Sequence, residues 1–244
     1  MTKTRSSRAP TAPAGWAIAT DNVDISHFSS QNHRLVTLQG LLAEPEEAIA
    51  QAFLQKFARI TPQYPGLRAP LDPAVCGYLL ERLSPLLDQW FAGETTQWEM
   101  QAWYSLVTTP PAALAPIQRL PHVDGTDPRQ IAMMLYLHRT GHGGTAFYRH
   151  RSTGLEALTA DDYPRYAAAL RADVARTGLP RAAYTTDGAP HFERIHAAPG
   201  TFNSAIFYRG NILHSGVIDN AAPLVPDPRA GRLTINAFFR PAAA

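Results

Sequence analysis

With 244 residues, 45% of them hydrophobic, the chain is long enough for one large domain built on a real core. Its 22 Lys and Arg against 20 Asp and Glu leave a formal net charge of +2, which excludes the strongly basic surface of a nucleic-acid binder. A single cysteine, Cys76, excludes an internal disulfide framework and fits a reducing, cytoplasmic setting.

Residues 1–15, rich in Pro, Ala, Ser and Thr, read as a flexible tail before a single domain spanning 16–244. The tail has basic residues but no apolar stretch of the kind a signal peptide needs, and no apolar run approaches the ~20 residues that cross a bilayer. RLVTLQGLL (34–42) predicts an early strand. EPEEAIAQAFLQKFARI (44–60) predicts a helix, with acidic residues at its start and Ile49, Phe53, Phe57 and Ile60 at helical spacing. DPAVCGYLLERLSPLLDQWF (72–91) predicts a second helix, capped by Asp72, with Pro73 in its first turn and an interruption near Pro85. The N-terminal helices thus fall at about 44–91.

From residue 97 the texture changes. QWEMQAWYSLVT (97–108), QIAMMLYLH (130–138), GTAFYR (144–149), HFERIHAA (191–198), TFNSAIFY (201–208), ILHSGVI (212–218) and RLTINAFF (232–239) are short, rich in aromatic and β-branched residues, and separated by Pro, Gly, Asn and Asp. A helical insertion at about 155–178, stopped by Gly178, breaks the series. The expected fold is mainly β with flanking helices: a sandwich or jelly roll with the N-terminal helices packed on one sheet.

His122 and Asp124 flank Val123, so on extended backbone both side chains point to one side and suit two adjacent ligands of one metal. Asp124-Gly125 also reads as a turn. His214 sits in the apolar ILHSGVI, where a ring must find partners for its nitrogens, as a ligand or as a satisfied core histidine. Two histidines and one carboxylate can form the facial triad of non-haem Fe(II) oxygenases. Arg232 and Thr234 share one face of a late strand; buried, they would clamp a carboxylate, and exposed, they would be ordinary surface residues.

Taken in order, His122-Val123-Asp124, Leu135-Tyr136-Leu137-His138, Gly143-Gly144-Thr145, His214 and Arg232-x-Thr234 resemble the 2-oxoglutarate/Fe(II)-dependent dioxygenases, particularly the prolyl-hydroxylase-like branch. The likeness spans roughly residues 101–240 and departs at His138, where that family often carries Asn. The resemblance implies a double-stranded β-helix. It implies Fe(II) on His122, Asp124 and His214, with Arg232, Thr234 and Tyr136 around the distal carboxylate of the cosubstrate 2-oxoglutarate, and O2 as the third reactant. It implies hydroxylation of an unactivated C–H bond in a small molecule or peptidyl residue, with succinate and CO2 as coproducts. Related halogenases lack the carboxylate, so Asp124 favours hydroxylation. Gln101, Trp103 and Tyr104, on the strand before the His-x-Asp, are the expected pocket lining, and Arg149 and Arg151 an expected basic rim; the Arg149–Arg151 stretch also reads as a solvated loop. A metal-dependent hydrolase or isomerase on the same fold, using Zn or Mn, would leave Arg232, Thr234 and Tyr136 without a purpose. A non-enzymatic ligand-binding module would be marked by a broken triad.

Overall fold

The computed structural model describes residues 11–139 and 142–242. It contains eleven strands: β1 Val23–Phe28, β2 His33–Gln39, β3 Gly66–Pro70, β4 Trp98–Val107, β5 Ile131–Tyr136, β6 Thr145–His150, β7 Gly188–Ala189, β8 Phe192–Ala198, β9 Ser204–Arg209, β10 His214–Gly216 and β11 Arg232–Pro241. Three α-helices accompany them: α1 Pro45–Phe53, α2 Pro73–Leu87 and α3 Asp162–Thr177. Seven strands form a major sheet in the order β1-β2-β9-β5-β11-β4-β3, and four form a minor sheet, β10-β6-β8-β7. Every pairing between these strands is antiparallel. Two facing antiparallel sheets make the jelly roll.

Strand parity explains which side chains reach the interior. On β5, Ile131, Met133 and Leu135 join the large core that also contains Leu79, Leu83 and Leu87 of α2, while Ala132 and Tyr136 belong to the cluster between the sheets. On β11, Leu233, Ile235, Ala237 and Phe239 face the helices, which leaves Arg232, Thr234, Asn236 and Phe238 on the opposite, interior face. Helices α1 and α2 therefore cover one face of the major sheet and the minor sheet covers the other, while α3 packs against the minor sheet through Tyr166.

Helix α1 ends at Phe53, not near residue 60. Ala58 instead pairs by both backbone groups with Arg68 of β3, and Ile60 is exposed. Helix α2 runs through Pro85, because Leu83 and Leu87 on its apolar face are fully buried. The irregularity comes later, as a π-turn at Asp88–Ala92 closed by Gly93 at φ +75°. Of the expected tail, residues 1–10 lie outside the described residues. From residue 11 the chain is pinned: Trp16 is fully buried, its Nε1 donates to Gln51 Oε1 at 2.7 Å, and Gln51 Nε2 donates to Ala14 O.

Candidate metal and carboxylate site

His122 and His214 face each other as a backbone pair. His122 N donates to His214 O at 2.9 Å, and His214 N to His122 O at 2.8 Å. This isolated bridge brings the loop between β4 and β5 onto β10 and holds the two rings 4.5 Å apart. Asp124 N donates to Gly210 O. A Cβ on Gly210 would lie 3.4 Å from Asp124 Cβ and 2.9 Å from Gln130 Nε2, so glycine there permits the close approach. Asp124 Oδ1 lies 3.8 Å from His122 Nε2, and Oδ2 lies 3.4 Å from His214 Nε2.

These three side chains each offer one ligand atom within 4.8 Å of the others, and they are the metal-capable cluster among the described residues. Asp124 Oδ2 is buried without a hydrogen-bond partner, an expensive state that a cation would relieve. His214 Nδ1 lies 2.8 Å from the Ile212 carbonyl. A carbonyl can only accept, so Nδ1 carries the proton and Nε2 offers its lone pair toward the cluster. Burial pushes His214 down to about 4 and Asp124 up to about 6. Burial, and then the neighbouring His214 ring, lower His122 as well. Yet 54% of the His122 side chain is exposed, which marks the side on which the cluster opens. Two neutral imidazoles and a carboxylate are a donor set suited to Fe(II).

Arg232 is buried on the interior face of β11. Its Nη2 donates to Gly143 O at 3.1 Å and Gly144 O at 3.0 Å, while its Nε is buried without a partner. Among the described residues no carboxylate pairs with it, so half of a guanidinium fork is left for an incoming anion. The Gly-Gly pair earns its place sterically: a Cβ on Gly144 would sit 2.0 Å from Ala198 O, and one on Gly143 would sit 2.4 Å from Val217 O. Tyr136 lies opposite Thr234 across β5 and β11, and its hydroxyl is 2.8 Å from Thr145 Oγ1. Thr234 Oγ1 donates to Asn236 Oδ1 at 2.8 Å.

The expected substrate-side residues divide. Trp103 lies on the interior face of β4, with its ring 6.0 Å from that of Phe238, and Gln101 shares that parity but is exposed. Tyr104 points the other way, into the helix-side core 6.4 Å from Trp16, because adjacent strand residues face opposite sides. Arg149 is no free rim cation: it donates to Glu156 Oε1 from Nε and Nη2 at 2.8 and 2.6 Å and pairs with Glu193. Arg151 is exposed on the turn after β6, in a pocket shared with Asp173, Arg176 and His191.

The sequence reading quoted Thr145 within the Gly-Gly-Thr motif without giving it a role, and it did not single out Arg68, Tyr64 or Ser105. It also left His138 and His142 without a role. Both are near Arg232 and stacked edge-on at 5.4 Å, with His138 Nε2 and His142 Nδ1 buried and unpartnered. Burial and Arg232 hold His138 down to about 3, so its ring is neutral. A surface pocket of about 330 Å³, lined by His27, His33, Arg34, Trp90, Phe91 and Arg209, shares no residue with the metal cluster.

Comparison with solved structures shows the same fold. The epimerase SnoN in complex with Fe3+, alpha ketoglutarate and nogalamycin RO matches at 15% identity, covering 85% of this chain and 79% of its own, with a TM-score of 0.50. AviO1 from Streptomyces viridochromogenes Tue57 (16% identity, 86% and 90% coverage, TM-score 0.49) and a Pseudomonas putida prolyl-4-hydroxylase (14%, 86% and 94%, 0.46) score lower. No curated protein matches the chain. The model of one family matches residues 20–239, and the chain belongs to that family, described as "Family of unknown function (DUF6445)".

Proposed function

We propose that this protein is an Fe(II)- and 2-oxoglutarate-dependent oxygenase of the cytoplasm that hydroxylates an unactivated C–H bond in a small molecule or a peptidyl residue. The observation that carries the reading is a pairing: a three-ligand cluster with an unpartnered carboxylate oxygen, and a buried arginine without a carboxylate, both between the same two sheets. A metal-dependent hydrolase or isomerase needs only the first. Arg232 therefore favours a metal enzyme with an anionic cosubstrate.

His122, Asp124 and His214 would hold Fe(II), and Arg232 would pair with the distal carboxylate of 2-oxoglutarate. When bound, iron, 2-oxoglutarate and O2 supply oxidation coupled to release of succinate and CO2. The protein's own residues do the positioning. The Ile212 carbonyl fixes the His214 tautomer, and the Gly143 and Gly144 carbonyls aim Arg232. The Tyr136 and Thr234 hydroxyls are the expected partners of the same carboxylate. Thr234 already donates to Asn236, whereas the proton between Tyr136 and Thr145 can belong to either oxygen, so Tyr136 is the readier donor. Neutral His138 adds a third polar group beside Arg232 without adding charge.

The test is ligand-dependent melting. Mn(II) and 2-oxoglutarate together should raise Tm, and 2-oxoglutarate at ~100 times its Kd adds about 2.7 kcal/mol to the stability of the folded state. His122→Ala and His214→Ala should abolish the metal-dependent part. Succinate formation with incorporation of one 18O atom from O2 into product would establish hydroxylation; product free of 18O with succinate still released would replace it by another oxidation on the same cofactors.

A further inference from the structure

The interior face of the major sheet carries a second arginine. Arg68 of β3 lies opposite Ser105 of β4, which lies opposite Thr234 of β11, which lies opposite Tyr136 of β5. One register row thus runs Tyr136–Thr234–Ser105–Arg68 across four strands, and its first two members flank the carboxylate place already assigned. The Arg68 guanidinium is held over the Tyr64 ring, 4.2 Å from its centroid, and 5.6 Å from the Trp103 ring centre. Its backbone is locked by the reciprocal bonds to Ala58. Yet its Nε is buried without a partner, and the buried hydroxyls of Tyr64 and Ser105 beside it have none but each other. Among the described residues no carboxylate forms an ion pair with Arg68. The row ends at Tyr136, which packs in one buried cluster with Phe147 and Tyr208; their rings lie 6.5 and 5.0 Å from that of His214, so the row faces the same interior as the metal cluster.

We infer that Arg68 anchors a carboxylate of the substrate, held between the Trp103 wall and the metal cluster and separate from the anion place at Arg232. The inference rests on the function proposed above. A partly buried guanidinium whose own Nε lacks a partner, set beside two buried hydroxyls, is costly unless an anion completes it. Charge balance points the same way. Fe(II) with the two interior arginines, set against Asp124 and dianionic 2-oxoglutarate, leaves one positive charge over, which a monoanionic substrate neutralises. A carboxylate suits a lone planar fork between two aromatic rings. A phosphate dianion would call for a second free cation, and the other arginine of this face, Arg232, is the one already assigned to the cosubstrate.

The test uses the full chain loaded with Mn(II) and saturated with 2-oxoglutarate, with phenylacetate and phenylacetamide as probes and Mn(II)-induced relaxation of their ring protons as the readout. The parent should relax phenylacetate and not the amide. Arg68→Gln should weaken phenylacetate roughly tenfold or more, Arg68→Lys should recover part of the loss, and 2-oxoglutarate affinity in Arg68→Gln should stay within about twofold of the parent. Equal relaxation of both probes, or of neither, in the parent overturns the inference, as does unchanged phenylacetate relaxation in Arg68→Gln. Loss of 2-oxoglutarate binding in Arg68→Gln as large as in Arg232→Gln overturns it too, by moving Arg68 into the cosubstrate place. Failure of the metal reading shows separately, as Mn(II) binding that survives His122→Ala.

Discussion

Replacing Arg232 by alanine separates its two duties. In the fold, its Nη2 serves the Gly143 and Gly144 carbonyls at 3.1 and 3.0 Å. Hydrogen bonds to a charged group contribute ~1.5–3 kcal/mol each, but dehydrating a guanidinium with only 3% of its surface exposed offsets much of that. The stability change should therefore be a small remainder, on the order of 1–2 kcal/mol. In the complex the loss is one-sided, because the ligand carboxylate would be left dehydrated and unpaired. That costs ~2–5 kcal/mol, or roughly 30- to 5,000-fold in Kd. Arg232→Lys should recover part, since it keeps the charge and loses the fork. The assay is calorimetric titration of the Mn(II)-loaded protein with 2-oxoglutarate, with circular dichroism melting of the ligand-free variants as the stability control. Parent-like affinity in folded Arg232→Ala would refute the reasoning and place the carboxylate elsewhere.

Metal affinity should depend on pH through Asp124: its carboxyl takes up a proton below about 6, while His214 stays neutral until about 4. Apparent Mn(II) affinity should hold above pH 6 and fall about tenfold per pH unit below it, since one proton competes with the ion; a two-proton slope starting near 6.5 would assign the competition to the imidazoles. Asp124→Glu keeps the charge but moves it one methylene, and misplacement on that scale can cost ~100-fold in turnover, measured as substrate-coupled succinate release. Tyr136→Phe removes one neutral hydrogen bond and strands Thr145 Oγ1, so a loss of about 1 kcal/mol is expected in both denaturant stability and 2-oxoglutarate affinity. Gly144→Ala must displace the Ala198 carbonyl 2.0 Å from the new Cβ, so it should lower Tm and weaken 2-oxoglutarate together; a variant that melts like the parent would show that the backbone there yields.

The cluster of His122, Asp124 and His214 was legible because metal chemistry restricts candidates to a few residue types and extended backbone puts His122 and Asp124 on one side. The late strand β11 was legible through its alternating Leu233, Ile235, Ala237 and Phe239. Parity, by contrast, tells that Trp103 and Tyr104 point apart without telling which one points inward. That depends on the helices that Tyr104 packs beneath. Arg149 looked like a free cation because its partner Glu156 arrives only when the turn after β6 folds back. Strand β3, GLRAP, has Gly and Pro at its ends and no β-branched residue. It owes its existence to pairing with β4 and Ala58, so Arg68 gave no local sign of its place.

The same contacts that build the site also join the two sheets. The His122–His214 pair fastens the loop before β5, a strand of the major sheet, to β10 of the minor sheet. Arg232, on β11 of the major sheet, donates to the two glycine carbonyls that lead into β6 of the minor sheet. Asp124 is tied through Gly210 to the end of β9. A cation on the triad would thus bind across the seam, and an anion on Arg232 would bind to a side chain held across it. Separating the sheets would pull the triad apart and would release Arg232 and Tyr136 from the partners that hold them on the opposite side. Two of the buried polar atoms left without partners, Asp124 Oδ2 and Arg232 Nε, lie here. A segment pinned at both ends can keep such groups unpaired until ligands arrive, as the backbone bonds of His122 to His214 and of Asp124 to Gly210 pin the loop here.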